Sequence, residues 1–248
     1  YGTRDDAESI RTVHRALELG IDHLDSAELY GDGHNEELLG KALKDRRAKA
    51  FIATKFHNGV KNRRNPEGIA EKGTAYVKKA CEMSLARLGF DHIDLYYVHR
   101  MDPVNPVEEV VAAMEALRKA GKIRFIGLSE AGPDTLRRAA KVAPIAALQT
   151  EYSLWSRDHA EKEILPTCRE LGVAYVAYSP LGRGFLSGQF KAPEALPAND
   201  RRHEHPRFQA VHLAKNAALL PPLEAMAAKK KCTPAQLALA WVLHRGDD

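Results

Sequence analysis

The chain has 248 residues, 44% of them hydrophobic and 28% charged, enough to bury a substantial core as one α/β barrel or two smaller domains. With 37 basic against 33 acidic residues the charge balance is mild, and the basic clusters Arg46-Arg47, Arg63-Arg64 and Lys229-Lys230-Lys231 are scattered without aromatic interleaving; they read as solvated faces and speak against nucleic-acid binding. No apolar run approaches the ~20 residues of a membrane span, the first residues do not read as a signal peptide, and Cys81, Cys168 and Cys232 lie too far apart for a CxxC site or a disulfide framework, so a reducing cytoplasm is expected.

From there the chain alternates. A helix is predicted over Ala7–Leu19 and a strand over Asp22–Asp25; then a helix over Glu36–Lys44 and a strand over Phe51–Thr54. The helix Ala75–Leu88 precedes the strand Ile93–His99. In Val107–Ala120 the apolar positions Val107, Val110, Val111, Met114 and Leu117 follow the i, i+3, i+4, i+7 spacing of one helix face. Asn105 can cap that helix, Pro106 suits its first position, Glu108 sits where a capping-box carboxylate belongs, and Gly121 can end it. The strand Arg124–Ser129, the helix Asp134–Lys141, the strand Ala146–Thr150, the helix His159–Leu171 and the strand Ala174–Ser179 follow. The last helical stretch, Lys215–Leu243, is expected to break into two near Thr233-Pro234. Most of these strands lack polar alternation, as parallel strands buried on both faces do.

Strand–helix alternation at this spacing implies βαβ units with right-handed crossovers. The rival to a barrel is the doubly wound sheet, whose GxGxxG turn follows none of the predicted strands. Polar residues at the ends of many successive strands also suit a closed ring, which points them all at one face. The expected fold is therefore a (β/α)8 barrel, in one domain across residues 1–248.

Four of those strand-end residues belong to different chemical types. Asp25 and Tyr30 lie in His-Leu-Asp-Ser-Ala-Glu-Leu-Tyr-Gly, Lys55 ends Phe-Ile-Ala-Thr-Lys, and His99 ends Ile-Asp-Leu-Tyr-Tyr-Val-His. Singly each has an ordinary explanation: a turn cap, a rim aromatic, a surface lysine, a core histidine. An ammonium directly after Phe-Ile-Ala-Thr, however, stands at a barrel mouth and needs a counter-charge, and Asp25 ends the neighbouring strand. Brought together at strand ends, a carboxylate, a phenol, an ammonium and an imidazole can form a proton-transfer site. The order and context of these residues resemble the aldo-keto reductase family, from Ala7 to about Arg245. The resemblance implies an Asp25, Tyr30, Lys55, His99 tetrad and reduction of a small-molecule carbonyl substrate by hydride from NADPH. In that role Tyr30 is the general acid, Lys55 lowers its pKa, Asp25 holds Lys55 charged, and His99 donates to the carbonyl oxygen. No metal is required.

The same resemblance implies a cofactor surface. Ser129 and Gln149, ending Phe-Ile-Gly-Leu-Ser and Ala-Leu-Gln, are of types that hydrogen-bond a carboxamide. Tyr178, in Ala-Tyr-Ser-Pro-Leu-Gly-Arg-Gly, would stack on the nicotinamide. Ser179, Leu181, Gly182, Arg183 and Gly184 resemble the loop under the pyrophosphate, where glycines let backbone N–H groups approach an anion. Glu130 stands where many members have Asn; it accepts hydrogen bonds only, so it could hold the carboxamide NH2 but not its carbonyl.

Only six strands are visible where a barrel needs eight. By the resemblance the first and eighth strands, with the loop that reads the 2′-phosphate, are expected outside the given chain, which is then trimmed at both ends. His203-Glu204-His205 has metal-ligand types but no third partner, so a surface loop is expected. Tyr152 and Trp155 suit a pocket rim or packing equally. The rival function is a cofactor-binding barrel serving as a regulatory or accessory subunit. Oligomeric state leaves no signal in the sequence.

Overall fold

In the computed structural model the described residues are 4–57, 74–101, 105–192 and 195–246. Helices and strands alternate as α1 (Asp6–Glu18), β1 (His23–Asp25), α2 (His34–Leu43), β2 (Phe51–Phe56), α3 (Thr74–Leu88), β3 (Ile93–Val98) and α4 (Val107–Lys119). They continue as β4 (Ile123–Ser129), α5 (Pro133–Ala140), β5 (Ala147–Glu151), α6 (Leu165–Leu171) and β6 (Ala174–Tyr178), followed by α7 (Ala210–Ala217), α8 (Leu220–Lys229) and α9 (Pro234–Leu243). The six strands form one sheet in chain order. Every register from β1 to β5 is parallel, with Asp25 opposite Ala53, Lys55 opposite Tyr97 and Ser129 opposite Gln149. A doubly wound sheet reverses its order at a switch point; an unbroken parallel order is that of the (β/α)8 barrel.

The described residues divide into two compact units. One lies within residues 5–149 and 166–175, the other within residues 150–165 and 176–246. In the first, β3 is buried at all six positions, which is why Ile-Asp-Leu-Tyr-Tyr-Val shows no alternation. α4 buries Val107, Val110, Val111, Met114 and Leu117, the face given by the spacing. Asp94 is buried at the start of β3 because Arg47 and Arg124 pair with it at 2.7 and 2.9 Å and the Ile52 N–H donates to it. Arg47 is thus an anchor for β2 and β3, unlike the solvated residue expected; Arg63-Arg64 lies outside the described residues.

Gly127 of β4 has a packing reason for lacking a side chain. A Cβ there would stand 2.4 Å from the ring of Tyr97, its register partner on β3. The glycine makes room for that ring.

The second unit has its own core of Phe185, Leu186, Leu196, Phe208, Leu213, Leu220 and Ala238. Trp155 stacks on Phe185 with ring centroids 4.2 Å apart. Tyr152 is buried, donates from its hydroxyl to Glu161 at 2.8 Å and packs against Trp241. Both aromatics therefore serve packing within this unit.

Three local expectations need correction. Pro106 is the N-cap of α4 in place of Asn105, while the helix begins at Val107 as expected, and the Glu108 carboxylate is taken by Arg138 at 2.6 Å. The stretch predicted as one helix over His159–Leu171 opens as a π-helical turn, Ala160–Ile164, before α6. Pro166 lacks the N–H that a continuous helix needs, and the wider turn absorbs the defect. Lys215–Leu243 forms parts of three helices. Pro221 and Pro222 fit only the first turn of a helix, so α8 starts there afresh, while Thr233 and Gln236 make the capping box that starts α9.

Candidate active site

The first unit brings the four strand-end residues together. Asp25 closes β1, Lys55 is the penultimate residue of β2, and His99 follows β3, its N–H donating to Phe56 O at 2.8 Å. Tyr30 sits in the turn after β1, where its N–H donates to Ala27 O at 2.9 Å. Lys55 is wholly buried. Its Nζ donates to Asp25 Oδ1 and, at 2.8 Å, to Ser26 O. It also lies 5.0 Å from the ring centroid of Tyr30 and 5.9 Å from that of Tyr97. Tyr30 meets the His99 ring edge-on, centroids 5.8 Å apart at 84°.

This packing sets the protonation. Burial pulls the Lys55 amine below its usual range, and the Asp25 carboxylate pushes in the opposite direction. The His99 imidazole falls to about 3, first through burial and then through Lys55, Arg100 and His57. It is neutral at any ordinary pH. Its Nδ1 is enclosed and has no hydrogen-bond partner among the described residues. A buried N–H left unpaired is rarer and costlier than an unpaired lone pair. The proton therefore belongs on Nε2, an assignment by hydrogen-bond logic.

Of the residues read as cofactor contacts, the first unit places three at adjoining strand ends. Ser129 closes β4 and is buried, as is Gln149 in β5 opposite it. Glu130 follows in a left-handed conformation, φ 58°, with its N–H on Gln149 O. The amide of Gln149 donates through Nε2 to Asp25 Oδ2 at 2.9 Å.

The remaining candidates lie in the second unit. Tyr178 closes β6 and Ser179 turns left-handed, φ 51°. Gly182, Arg183 and Gly184 are left-handed in succession, with φ 57°, 57° and 91°. The Gly182 and Gly184 N–H groups donate to Ser179 O and Leu181 O, closing tight turns, and Leu181 packs against the apolar core. A Cβ at Gly182 would meet Trp155 at 2.8 Å.

Several residues near these candidates went unread in the sequence. Arg100 donates to Ser129 Oγ at 3.1 Å and to His99 O at 2.7 Å. His57, two residues beyond Lys55, sets its ring 5.4 Å from His99. Its backbone N–H donates to Glu28, whose carboxyl burial raises. In the second unit Asp200 and Arg202 pair beneath the left-handed loop. A basic residue directly after a strand-end histidine was the one available signal. His203 bonds Pro197 O, and among the described residues no group of three or more His, Cys, Asp or Glu side chains could hold a metal ion.

Comparison with known proteins bears on what this cluster does. The profile of the Aldo/keto reductase family matches residues 1–247. A curated relative from Glycine max, "Probable aldo-keto reductase 1", is 49% identical over 242 residues, spanning 97% of this chain and 69% of the relative. Among solved structures, the glycerol dehydrogenase of Gluconobacter oxydans superposes with TM-score 0.88 at 34% identity, over 99% of this chain and 76% of that one. An aldo/keto reductase from Klebsiella pneumoniae in complex with NADP and acetate gives TM-score 0.72 at 28% identity, over 97% and 72% of the two chains. No helix among the described residues is long and apolar enough to cross a membrane. With a parallel strand order and solved structures that agree, and a family profile that spans the sequence, this chain belongs to the aldo/keto reductase family of oxidoreductases.

Proposed function

We propose that the chain reduces aldehydes or ketones to alcohols with NADPH, using Tyr30 as the general acid. The observation that carries this reading is the buried Lys55 ammonium, bonded to Asp25 and set beneath the Tyr30 ring beside a neutral His99. A fully buried cation on a strand end is costly to keep unless it has a task or a tight partner.

The cofactor fits what the residues offer. Gln149 has its NH2 on Asp25, and no donor among the described residues reaches its Oε1, so that oxygen can accept from a carboxamide NH2. The Ser129 hydroxyl accepts from Arg100, which leaves its O–H to donate. NADPH, when bound, supplies the hydride. The NADP in the Klebsiella relative supports that choice of nucleotide, and the buried free thiol of Cys81 supports a reducing compartment such as the cytoplasm.

As negative charge grows on the carbonyl oxygen, donors must already stand there. Tyr30 gives up its phenolic proton to that oxygen. A free phenol holds its proton too tightly for easy transfer, with a pKa near ~10; a cation close to the ring favours the phenolate left behind. Lys55 is that cation, and Asp25 opposes its loss of charge. His99 donates from Nε2 to the same oxygen and so orients the carbonyl.

Replacing Tyr30 by Phe tests the assignment. With 4-nitrobenzaldehyde and NADPH, kcat should fall by ~10²–10⁴-fold, the usual worth of a general acid, with NADPH affinity nearly unchanged. Near-normal turnover removes Tyr30 from the role. NADPH binding without turnover in the unaltered protein would favour an accessory subunit.

A further inference from the structure

We infer that Gln149 is a positioning residue for the Asp25–Lys55 pair: its side-chain amide, besides facing the cofactor, fixes the carboxylate that holds the lysine. This rests on the proposed function for its catalytic meaning, though the contact itself does not.

The carboxylate of Asp25 is otherwise weakly held. Asp25 ends a strand of only three residues, and the β1–β2 register stops at its pairing with Ala53. Its side chain remains 29% exposed, while that of Lys55 is wholly covered. A carboxylate at such a site turns freely about its last torsion, which has broad wells. Two donors prevent that here. Lys55 Nζ bonds Oδ1, and Gln149 Nε2 bonds Oδ2 at 2.9 Å. The second donor comes from β5, far along the sheet from β1, and is itself buried and fixed in parallel register with β4.

A long lysine side chain has no preferred place for its ammonium except where partners put it. Here the partners are Asp25 and Ser26 O. The other charged or titratable groups facing it are Tyr30 in the turn after β1, Tyr97 on β3, and His99 and Arg100 beyond β3. None of these is an anion at neutral pH, so among the described residues it is Asp25 that supplies the counter-charge. Whatever orients Asp25 thereby decides how well the ammonium is supported. Gln149 does this with its NH2, and the same commitment leaves only its carbonyl oxygen for a ligand. One side chain thus joins the amide-reading surface to the acid–base group.

The test can be made without cofactor. In apo protein carrying lysine labelled with carbon-13 at the ε position, the Lys55 resonance, assigned with Lys55→Met, is followed against pH in the unaltered protein and in Gln149→Met, which keeps the volume. Gln149→Leu serves if the first replacement does not fold. The Lys55 midpoint should move down by about half a pH unit or more, because a loosened carboxylate supports the buried ammonium less well. In an Asp25→Asn background the same replacement should add nothing. An unmoved midpoint, or an equal shift in the Asp25→Asn background, overturns the inference. A matching descent of the alkaline limb of kcat/KM would carry the effect into turnover. Should Lys55 shift as expected while Tyr30→Phe keeps its activity, the positioning role stands and the acid assignment falls. If Tyr30→Phe is inactive and Lys55 does not shift, the reverse holds.

Discussion

The β1–β3 strand ends of the first unit and the Gly182–Phe208 segment of the second both bury charge, for opposite reasons. At the strand ends the backbone is already fixed by parallel registers, and Lys55 is carried on it into full burial. The Gly182–Phe208 segment has short 3-10 turns among its described residues, such as Phe185–Ser187, Arg201–Glu204 and Pro206–Phe208, and no strand. There the ion pair fixes the backbone. Buried Arg202 bonds Asp200 at 2.9 and 2.8 Å, donates to Arg183 O at 3.0 Å and lies 3.9 Å over the ring of Phe190. It thereby holds Arg183 in a left-handed conformation that a residue with a Cβ adopts at some cost. Where hydrogen-bond ladders set the chain, a buried charge is available for chemistry; where they do not, it is consumed in structure.

Arg202→Ala should break the second case. Removing one partner of a buried pair leaves the other charge uncompensated, at a cost of about 3–5 kcal/mol. The Gly184 and Leu186 amides, which donate to Leu181 O, should exchange faster, and NADPH should bind more weakly. Amides of β2 should keep their protection. An equal loss in β2 would mean that the two regions do not differ as argued.

Gly127→Ala probes the other side of the contrast. The new Cβ would stand 2.4 Å from the Tyr97 ring, and overpacking of this kind costs about 1–3 kcal/mol. Because Tyr97 also faces Lys55, at 5.9 Å, the variant should lose activity along with its urea midpoint. A loss of stability with unchanged kcat would show that the ring packs the core and does nothing for the ammonium.

The same contrast explains what could be read from sequence. All six strands were legible as apolar runs; burial on both faces explains this for strands such as β2 and β3, whereas β1 and β6 have no buried position, and the α4 face was visible in Val107, Val110, Val111, Met114 and Leu117. Residues at the ends of such runs were legible as candidates, since a polar group closing an apolar strand stands out. The Asp25–Lys55 contact followed from charge alone. Partners distant in the chain were not legible: Gln149 gives no sign that it reaches a residue 124 positions earlier. Arg202 looked like one more arginine in a polar stretch, because its burial comes from Phe190 and Phe208 closing over it. The split of the last helical region was written in Pro221-Pro222, but the surrounding helical periodicity hid it.

Lowering the pH separates the two regions with the smallest effect of those argued. Unfolded histidine takes up a proton near ~6.5, whereas His99 in the fold does so only at about 3. Below that first value the unfolded chain binds the extra proton and the fold does not. The stability credited to neutral His99 is therefore full above the unfolded value and is lost as pH falls toward 3. Asp200 in the second unit is displaced differently: hydrogen bonds from Arg202 hold its carboxyl at about 2. Its contribution is intact above its unfolded value, near ~3.9, and disappears only as pH falls through 2. Between pH 8 and pH 5, then, His99 should weaken the first region, while the Asp200–Arg202 pair holds the second unchanged once His205, which burial also holds below its usual range, is replaced by Gln. Hydrogen exchange of His205→Gln at the two pH values, corrected for intrinsic rates, should show lower opening free energies for β2 and β3 amides at pH 5 and unchanged ones for Gly184 and Leu186. His99→Gln should shrink the difference in the first region, and adding His57→Gln, the neighbouring imidazole that burial also holds below its usual range, should abolish it. If the His99 ring proton is seen to titrate between pH 5 and 8, the imidazole is not held neutral by its surroundings, and the case for its Nε2 donor role in carbonyl binding loses its footing.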